Sequence, residues 1–443
     1  MSGRSVGVVA ALLCWSGTLA AGEKVDIPYE MFKLDNGLTV IVHEDHSVPV
    51  VHTEVWYKVG SQNEKPGLTG FAHLFEHLMF QGSLNHDTEY FAPLQAVGGI
   101  ANGSTNPDRT NYFERLPSNY LDLAMWLEAD RMGWLLPSLT QEKLDNQRDV
   151  VKNERRQRYE NVPYGMARLS LYETLYPMGH PYHFSTIGTP EDLDAASLEE
   201  VKAFFATWYL PNNASLVVAG DVTVAEVKAS ADRWFGGIPA GPAGERVKPA
   251  EVKLDGVKRV TLEDKVSLPR VYMAWHSVPV FAKGDADLDI LAQVLGGGLS
   301  SRLTKALVYD QRIAQDVTVY QYGMELAGTF QIIADVAPGH TAEEVEKALD
   351  AELARLATNP PTEEEITRAR NAYEASFVKQ LESIGGKAGR LAFNYWIAGD
   401  PGYIQKELDT YYQVTPATVA EAAKKYLDPN ARVILTVNPR PTK

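Results

Sequence analysis

The chain has 443 residues, 45% of them apolar, with 42 Lys and Arg against 57 Asp and Glu for a net charge of −15. That composition fills a large core and excludes a disordered or fibrous chain, and the length suits two or three domains of about 150 residues. The acidic balance argues against nucleic-acid binding, which needs a basic surface, and a single Cys excludes a disulfide framework or a Cys-based zinc cluster.

The amino terminus reads MSGRSVGVVAALLCWSGTLAAG, with Arg4 ahead of an apolar run from Val6 to Trp15. Thr18 and Ala20 occupy the −3 and −1 positions of a cleavage site, so residues 1–20 are expected to be a signal peptide. The competing reading is a buried amino-terminal helix. The run is shorter than the ~20 residues that span a bilayer, and nothing later resembles a stop-transfer segment. Export to the periplasm or another extracytoplasmic space follows. Cys14 lies in the leader, so cleavage after Ala20 leaves a mature chain without thiols.

LTVIVHEDHSVPVVHTEVWYKVGS (38–61) alternates as a β-hairpin would. Next, GLTGFAHLFEHLMFQGS (67–83) has helical periodicity and carries His73, Glu76 and His77. On a helix the two His, at i and i+4, share one face and can reach one metal ion. Glu76 is placed to act as a base on a metal-activated water. This is H-x-x-E-H, the inverted zinc-peptidase motif; the bland alternative is a core helix that happens to contain His. Helices are predicted over 118–135 and 141–160, and in the latter Glu154 follows the apolar Val150 and Val151. A carboxylate on an inward stripe needs a partner such as a metal, yet Arg158 at i+4 offers an ordinary surface ion pair. Helix position alone leaves both open.

A further helix is predicted over 197–208, and YLPNNASLVVAGD from Tyr209 is echoed by YLDPNARVILTVN from Tyr426. Between the repeats, residues 237–258 are rich in Gly, Pro and charge, as a linker is. After it, 271–280 is predicted as a strand, with helices over 285–295, 341–357 and 362–383. The chain is therefore expected to be α+β: two homologous α/β sandwich domains in tandem, 21–236 and 259–443, with the metal motif in the first alone. His43/His46 and His180/His183 lack a third ligand and read as loop histidines.

H-x-x-E-H followed by Glu154, 77 residues after His77, resembles the signature of the pitrilysin/insulysin/mitochondrial processing peptidase family. The resemblance runs through NGLTVIVHED, GGIANGSTNPDRTNYFERLP (98–117), WLEADRM (126–132), YLPNN and LGGGLSSRL (295–303). It implies one Zn²⁺ held by His73, His77 and Glu154, with Glu76 as general base in peptide hydrolysis. It also implies a clamshell-like chamber, of which this chain forms half, and substrate bound as an added strand on a sheet edge. Ala101, Asn102, Gly103 and Ser104 match that edge; the alternative is a plain turn into a strand, favoured by Gly98, Gly99 and Gly103.

The second half lacks the motif: Asp287, Ile290 and Leu291 stand where His73, Glu76 and His77 do. Active relatives carry an Arg and a Tyr in this half, and here Val308 and Gln315 occupy those positions, with Tyr309, Arg312 and Tyr320 as substitutes only after a register shift. Gln147 stands where several relatives have another acid. The resemblance therefore implies the zinc subunit of a heterodimer, cutting short or unfolded peptides beside a homologous partner that supplies the Arg/Tyr pair. The alternatives are a non-catalytic scaffold of the same fold and a zinc hydrolase of another amide or ester.

Overall fold

The computed structural model describes residues 24–242, 244–248 and 252–441, so the expected leader, 1–20, lies outside the described residues. The first half runs β1 (Glu30–Lys33), β2 (Thr39–Glu44), β3 (Val50–Tyr57), α1 (Phe71–Leu78), α2 (Phe91–Ala96), β4 (Ile100–Thr105), β5 (Thr110–Pro117), α3 (Leu121–Ser138), α4 (Gln141–Arg155), α5 (Gly165–Leu175), α6 (Pro190–Ala195), α7 (Leu198–Trp208), β6 (Ala214–Gly220) and α8 (Val224–Phe235). The second runs β7 (Lys258–Asp264), β8 (Arg270–Ser277), α9 (Asp285–Gly296), β9 (Ala314–Gly323), β10 (Gly328–Val336), α10 (Ala342–Arg355), α11 (Glu363–Gln380), α12 (Ile384–Ala398), α13 (Ile404–Tyr412), α14 (Pro416–Tyr426) and β11 (Val433–Pro439). Local chemistry sets many of the helix starts. Ser197, Thr223, Thr341 and Thr362 each close a capping box with a Glu three residues on, satisfying donors that a first turn leaves unpaired.

The strands form two mixed sheets, ordered β1-β2-β6-β3-β5-β4 and β7-β11-β8-β10-β9. In each, one pair is parallel (β2/β6 and β7/β11) and the other neighbours are antiparallel. Apart from β1 the two orders match strand for strand, so the fold is a tandem repeat of one α/β sandwich. The sequence repeats at Tyr209 and Tyr426 lead into the equivalent strands β6 and β11.

The hairpin expected over 38–61 does not form. β6 lies between β2 and β3, parallel to the first and antiparallel to the second. Burial is the reason: all of β6, Thr39–His43 and Val51–Tyr57 are buried, and strands covered on both faces belong at a sheet's centre. Two helix ends also differ. The segment starting at 118 opens with a 3₁₀ turn, Ser118–Tyr120, and α4 gives way after Arg155 to a wider π turn, Arg156–Glu160.

Each sheet packs one face against helices of its own half and the other against a helix from the opposite half. Ile41, Trp56, Val217 and Ala219 of the first sheet meet Ala388, Leu391, Ala392 and Trp396 of α12. Tyr272, Ala274, Val433 and Leu435 of the second meet Ala167, Leu171 and Leu175 of α5. Polar bonds accompany both exchanges: Thr39 Oγ1 to Tyr395 Oη at 2.9 Å, and His276 Nε2 to the Leu175 carbonyl at 2.7 Å.

Within the first half, a buried cation ties α3 to β5. The Arg131 guanidinium donates to Glu128 on its own helix, at 2.8 Å from Nε, and to Glu114 on β5 at 3.1 Å. It lies 4.2–5.3 Å from the ring centres of Tyr112, Tyr90 and Phe80. Burial, and then the Glu128 charge, push the Glu114 carboxyl well above its usual range, leaving Glu128 as the counter-charge of Arg131. Arg131→Met should therefore strand a buried carboxylate and destabilise the chain by about 3–5 kcal/mol. Urea unfolding reads this directly; a loss below about 1 kcal/mol would place the cluster with weak surface pairs.

Candidate active site

α1 begins at Gly70, whose φ of 87° is left-handed. Gly70 also passes so close to Gly188 that a Cβ on the latter would sit 2.5 Å from the Gly70 Cα. Glu64 accepts hydrogen bonds from the Gly70 and Ala72 N–H groups at 2.9 and 2.8 Å. Burial pushes the Glu64 carboxyl up to about 8 against the pull of these N–H bonds, so it serves the first turn as a hydrogen-bond acceptor for donors that have no partner in the helix. Phe71, Leu74, Phe75 and Leu78 are buried in the first core, which fixes the rotation of α1 and turns His73, Glu76 and His77 toward a cleft of 450 Å³.

Glu154 arrives from α4. The inward stripe of that helix is Leu144, Gln147, Arg148 and Val151; Val150, expected inside, is 39% exposed, because it sits about 100° around the helix from Val151, on the side away from Arg148 and off that stripe. Glu154, three residues after Val151, places Oε2 at 3.2 Å from His77 Nε2 and 3.6 Å from His73 Nε2. Its Oε1 meets Arg158 at 2.6 Å. One oxygen thus faces the two histidines and the other takes the surface ion pair.

Among the described residues, His73, His77 and Glu154 are the one group of three whose candidate ligand atoms all lie within 4.8 Å of one another. Two imidazole nitrogens and one carboxylate oxygen suit Zn²⁺ with a fourth position left open, so the donor set fits the metal that the resemblance implies. Burial, aided by the neighbouring His77, pushes the His73 imidazole down to about 4, which keeps it neutral and ligand-ready at pH 7. Burial acts to raise the Glu154 carboxyl, but the His77 hydrogen bond and the His73 and Arg158 charges outweigh it and hold the group low.

Glu76 faces the same cleft from the next position of α1. Its Oε2 accepts a 2.6 Å bond from Thr105 Oγ1, at the end of β4. Burial raises the Glu76 carboxyl, and the Thr105 bond partly offsets that shift. Gly103 permits the approach: a Cβ there would lie 3.2 Å from Glu76 Cγ and 3.0 Å from the Tyr112 ring.

β4 is the edge strand of the first sheet, paired only with β5. Asn102, Gly103, Ser104 and Thr105 line the cleft, whereas Ala101 packs against the core and does not. Three further lining residues carried no recognisable pattern in the sequence, Phe80 and Phe91, stacked at 4.9 Å between ring centres, and Gln81; Arg158, expected only as an ion partner of Glu154, lines the cleft as well. Gln147 also lines the cleft. Arg109 escaped notice too. Its guanidinium donates to the Ser104 carbonyl at 2.7 Å and to Asn111 Oδ1 at 2.9 Å, bracing the end of β4.

Among the described residues, the second half brings nothing equivalent together. Ile290 and Leu291 are core residues of α9, Val308 packs against that core, and Gln315 is exposed on β9. Tyr309 and Arg312 are exposed, and Tyr320 Oη donates to Gln331 at 2.7 Å; none of the three lines the cleft. His43 and His183 turn their Nδ1 atoms to the carbonyls of Pro28 and Tyr176, at 2.7 and 2.8 Å.

Two family models match the chain: Insulinase (Peptidase family M16) over residues 39–182, and Peptidase M16 inactive domain over 195–373. The zinc protease PqqE of Helicobacter pylori is 32% identical over 405 residues, covering 90% of each chain. A zinc protease of Bacillus subtilis, YmxG, is 23% identical and covers 83% of this chain and 88% of its own. Among solved structures, a protease from Helicobacter pylori superposes with a TM-score of 0.85 at 29% identity, over 93% of this chain and all of that one. The Escherichia coli periplasmic protease PqqL matches at 18% identity with a TM-score of 0.78, a likeness in fold that covers 48% of that longer chain.

The site has a pH signature in the metal-free chain. Folding lowers the His73 pKa from 6.5 to about 4, so its contribution to stability is complete above pH 6.5 and is lost as pH falls toward 4. Thermal melts of the stripped protein should decline across that window, with a shallower slope for His73→Asn.

Proposed function

Because the chain belongs to the insulinase family of peptidases, family M16, we propose that it is a zinc metalloendopeptidase acting on short or unfolded peptides. The observation that carries the reading is the convergence, in one cleft, of a three-ligand group, a carboxylate held by Thr105, and a free sheet edge.

His73, His77 and Glu154 would hold the metal. Zn²⁺, when bound, supplies a Lewis acid beside the scissile carbonyl. The outward N–H and C=O groups of β4 pair with an extended peptide, a mode in which main-chain bonds give affinity whatever the side chains. Asn102, Gly103 and Ser104 form that contact, and Ala101, turned to the core, takes part through its backbone alone. Glu76 takes a proton from the attacking water and returns it to the leaving nitrogen. Thr105, bound to Oε2, leaves Oε1 for that transfer and keeps the carboxylate from rotating away. The raised pKa of Glu76 makes it a stronger base than an exposed carboxylate.

The oxyanion side is incomplete. Val308 has no donor and Gln315, exposed on β9, does not line the cleft, and the likeness to PqqL covers half of a longer chain. Both support a heterodimer in which a homologous subunit without zinc supplies that pair. Export through residues 1–20 completes the reading, and the likeness to a periplasmic protease is consistent with it. No helix among the described residues is long and apolar enough to cross a membrane.

Glu76→Gln should keep one zinc per chain while lowering peptide cleavage by about 10²–10⁴. Metal analysis and a quenched-peptide assay read the two separately. Normal cleavage by that variant removes Glu76 from the mechanism, and a zinc-free parent favours the scaffold. Chelation should abolish cleavage and added zinc restore it. The purified chain alone should cleave weakly, and a partner carrying the Arg/Tyr pair should raise the rate by about 10²–10³, the worth of an oxyanion donor. Full activity in the isolated chain would overturn the heterodimer.

A further inference from the structure

The two halves meet hairpin tip to hairpin tip, and the meeting point lies three residues from the catalytic edge. The turn joining β4 to β5 carries Asp108, which is 2% exposed. Its carboxylate accepts from the Tyr182 hydroxyl on one oxygen and, on the other, from the Glu325 backbone N–H at 3.1 Å. Glu325 sits in the β9–β10 turn of the second half, the structural equivalent of the turn that carries Asp108. The ring closes through Tyr182, whose hydroxyl oxygen also accepts from the Leu326 N–H at 2.9 Å. Two successive donors of one turn are thus held by one carboxylate–phenol pair, with none of these atoms in the cleft. The same β4–β5 turn fixes the end of β4, where Thr105 holds Glu76.

We propose that Asp108 and Tyr182 are positioning residues through which the metal-free second half sets the orientation of Glu76. The chain of contacts runs from the β9–β10 turn to Asp108, along the turn to Thr105, and to the Glu76 carboxylate. It rests on the reading of Glu76 as the base. An unlatched β4–β5 turn frees the end of β4 to shift, and displacements of about 1 Å at a reacting group cost up to ~10² in rate. Such a shift acts on the proton transfer, so it appears in kcat and leaves the zinc ligands on α1 and α4 in place.

Asp108→Asn and Tyr182→Phe, assayed in the zinc-loaded chain with its partner, should each lower kcat about tenfold with KM within about twofold. Zinc content should stay at the parent's level. Thr105→Val should show a similar loss, and Asp108→Asn/Thr105→Val should be no slower than Thr105→Val alone, because both changes break one line of contacts. A latch that only stabilises the fold would instead lower the melting temperature, and its effect on kcat would multiply with that of Thr105→Val. Multiplying losses, or parental kcat in Tyr182→Phe, overturn the proposal. Amide exchange supplies a readout independent of activity: in zinc-free Tyr182→Phe, residues 100–105 should exchange at least about fivefold faster while β2 and β3 stay protected. If the parent cleaves no peptide, the peptidase reading fails, whereas unchanged exchange at 100–105 sinks the latch alone.

Discussion

Neither sheet closes its core with its own half. β2, β3 and β6 are buried on both faces, and the second face, where Ile41, Trp56, Val217 and Ala219 lie beside the polar Thr39, His52 and Glu54, is covered only when α12 crosses from the other half; α5 returns the exchange on β8 and β11. Leaving either face in water would expose a contiguous apolar surface of the kind soluble chains rarely tolerate. The exchange makes the two halves one packed body. It is also why the second half stays in register with a cleft whose lining comes from the first.

The site is assembled from elements fixed by different forces. α1 is rotated by its apolar face and anchored by Glu64 at its amino end. α4 is placed by Leu144 and Val151, and its last turn delivers Glu154 to the two histidines. β4 is held from one side only, by β5, which leaves its outer edge free for a peptide. Beneath them the Arg131 cluster joins α3 to β5 and packs under Phe80, so the cleft floor is stiffened by a cation enclosed in aromatic rings.

Much of this was legible in the sequence. The i, i+4 histidines with Glu76 between them can point to one place only if the segment is helical, and the apolar residues around them make it so. The duplicated YL…N…A segments predicted tandem equivalent halves, and the strand orders match. The helices expected from 197, 341 and 362 start where Ser197, Thr341 and Thr362 close capping boxes, a bond pattern local in the chain. The loss of the motif at Ile290 and Leu291 was equally plain, since neither side chain can bind a metal.

Long-range pairing was beyond its reach. Alternation over 38–61 specified two strands but not that β6, more than 150 residues on, would pair between them, because periodicity reports which faces are buried and not by what. Sequence left Glu154 between a metal and Arg158; only the packing of α4 against α1 gave each oxygen its own partner. Thr105, Arg109 and Asp108 were unremarkable in a turn-forming stretch, and acquire meaning only where β4 ends beside Glu76 and where the second half's β9–β10 turn docks. The sequence by itself determined the candidate ligand types, the helix that carries two of them, and the duplication. Tertiary structure decided which side chains meet, since contacts between residues far apart in the chain are set by how two sheets buried on both faces find cover.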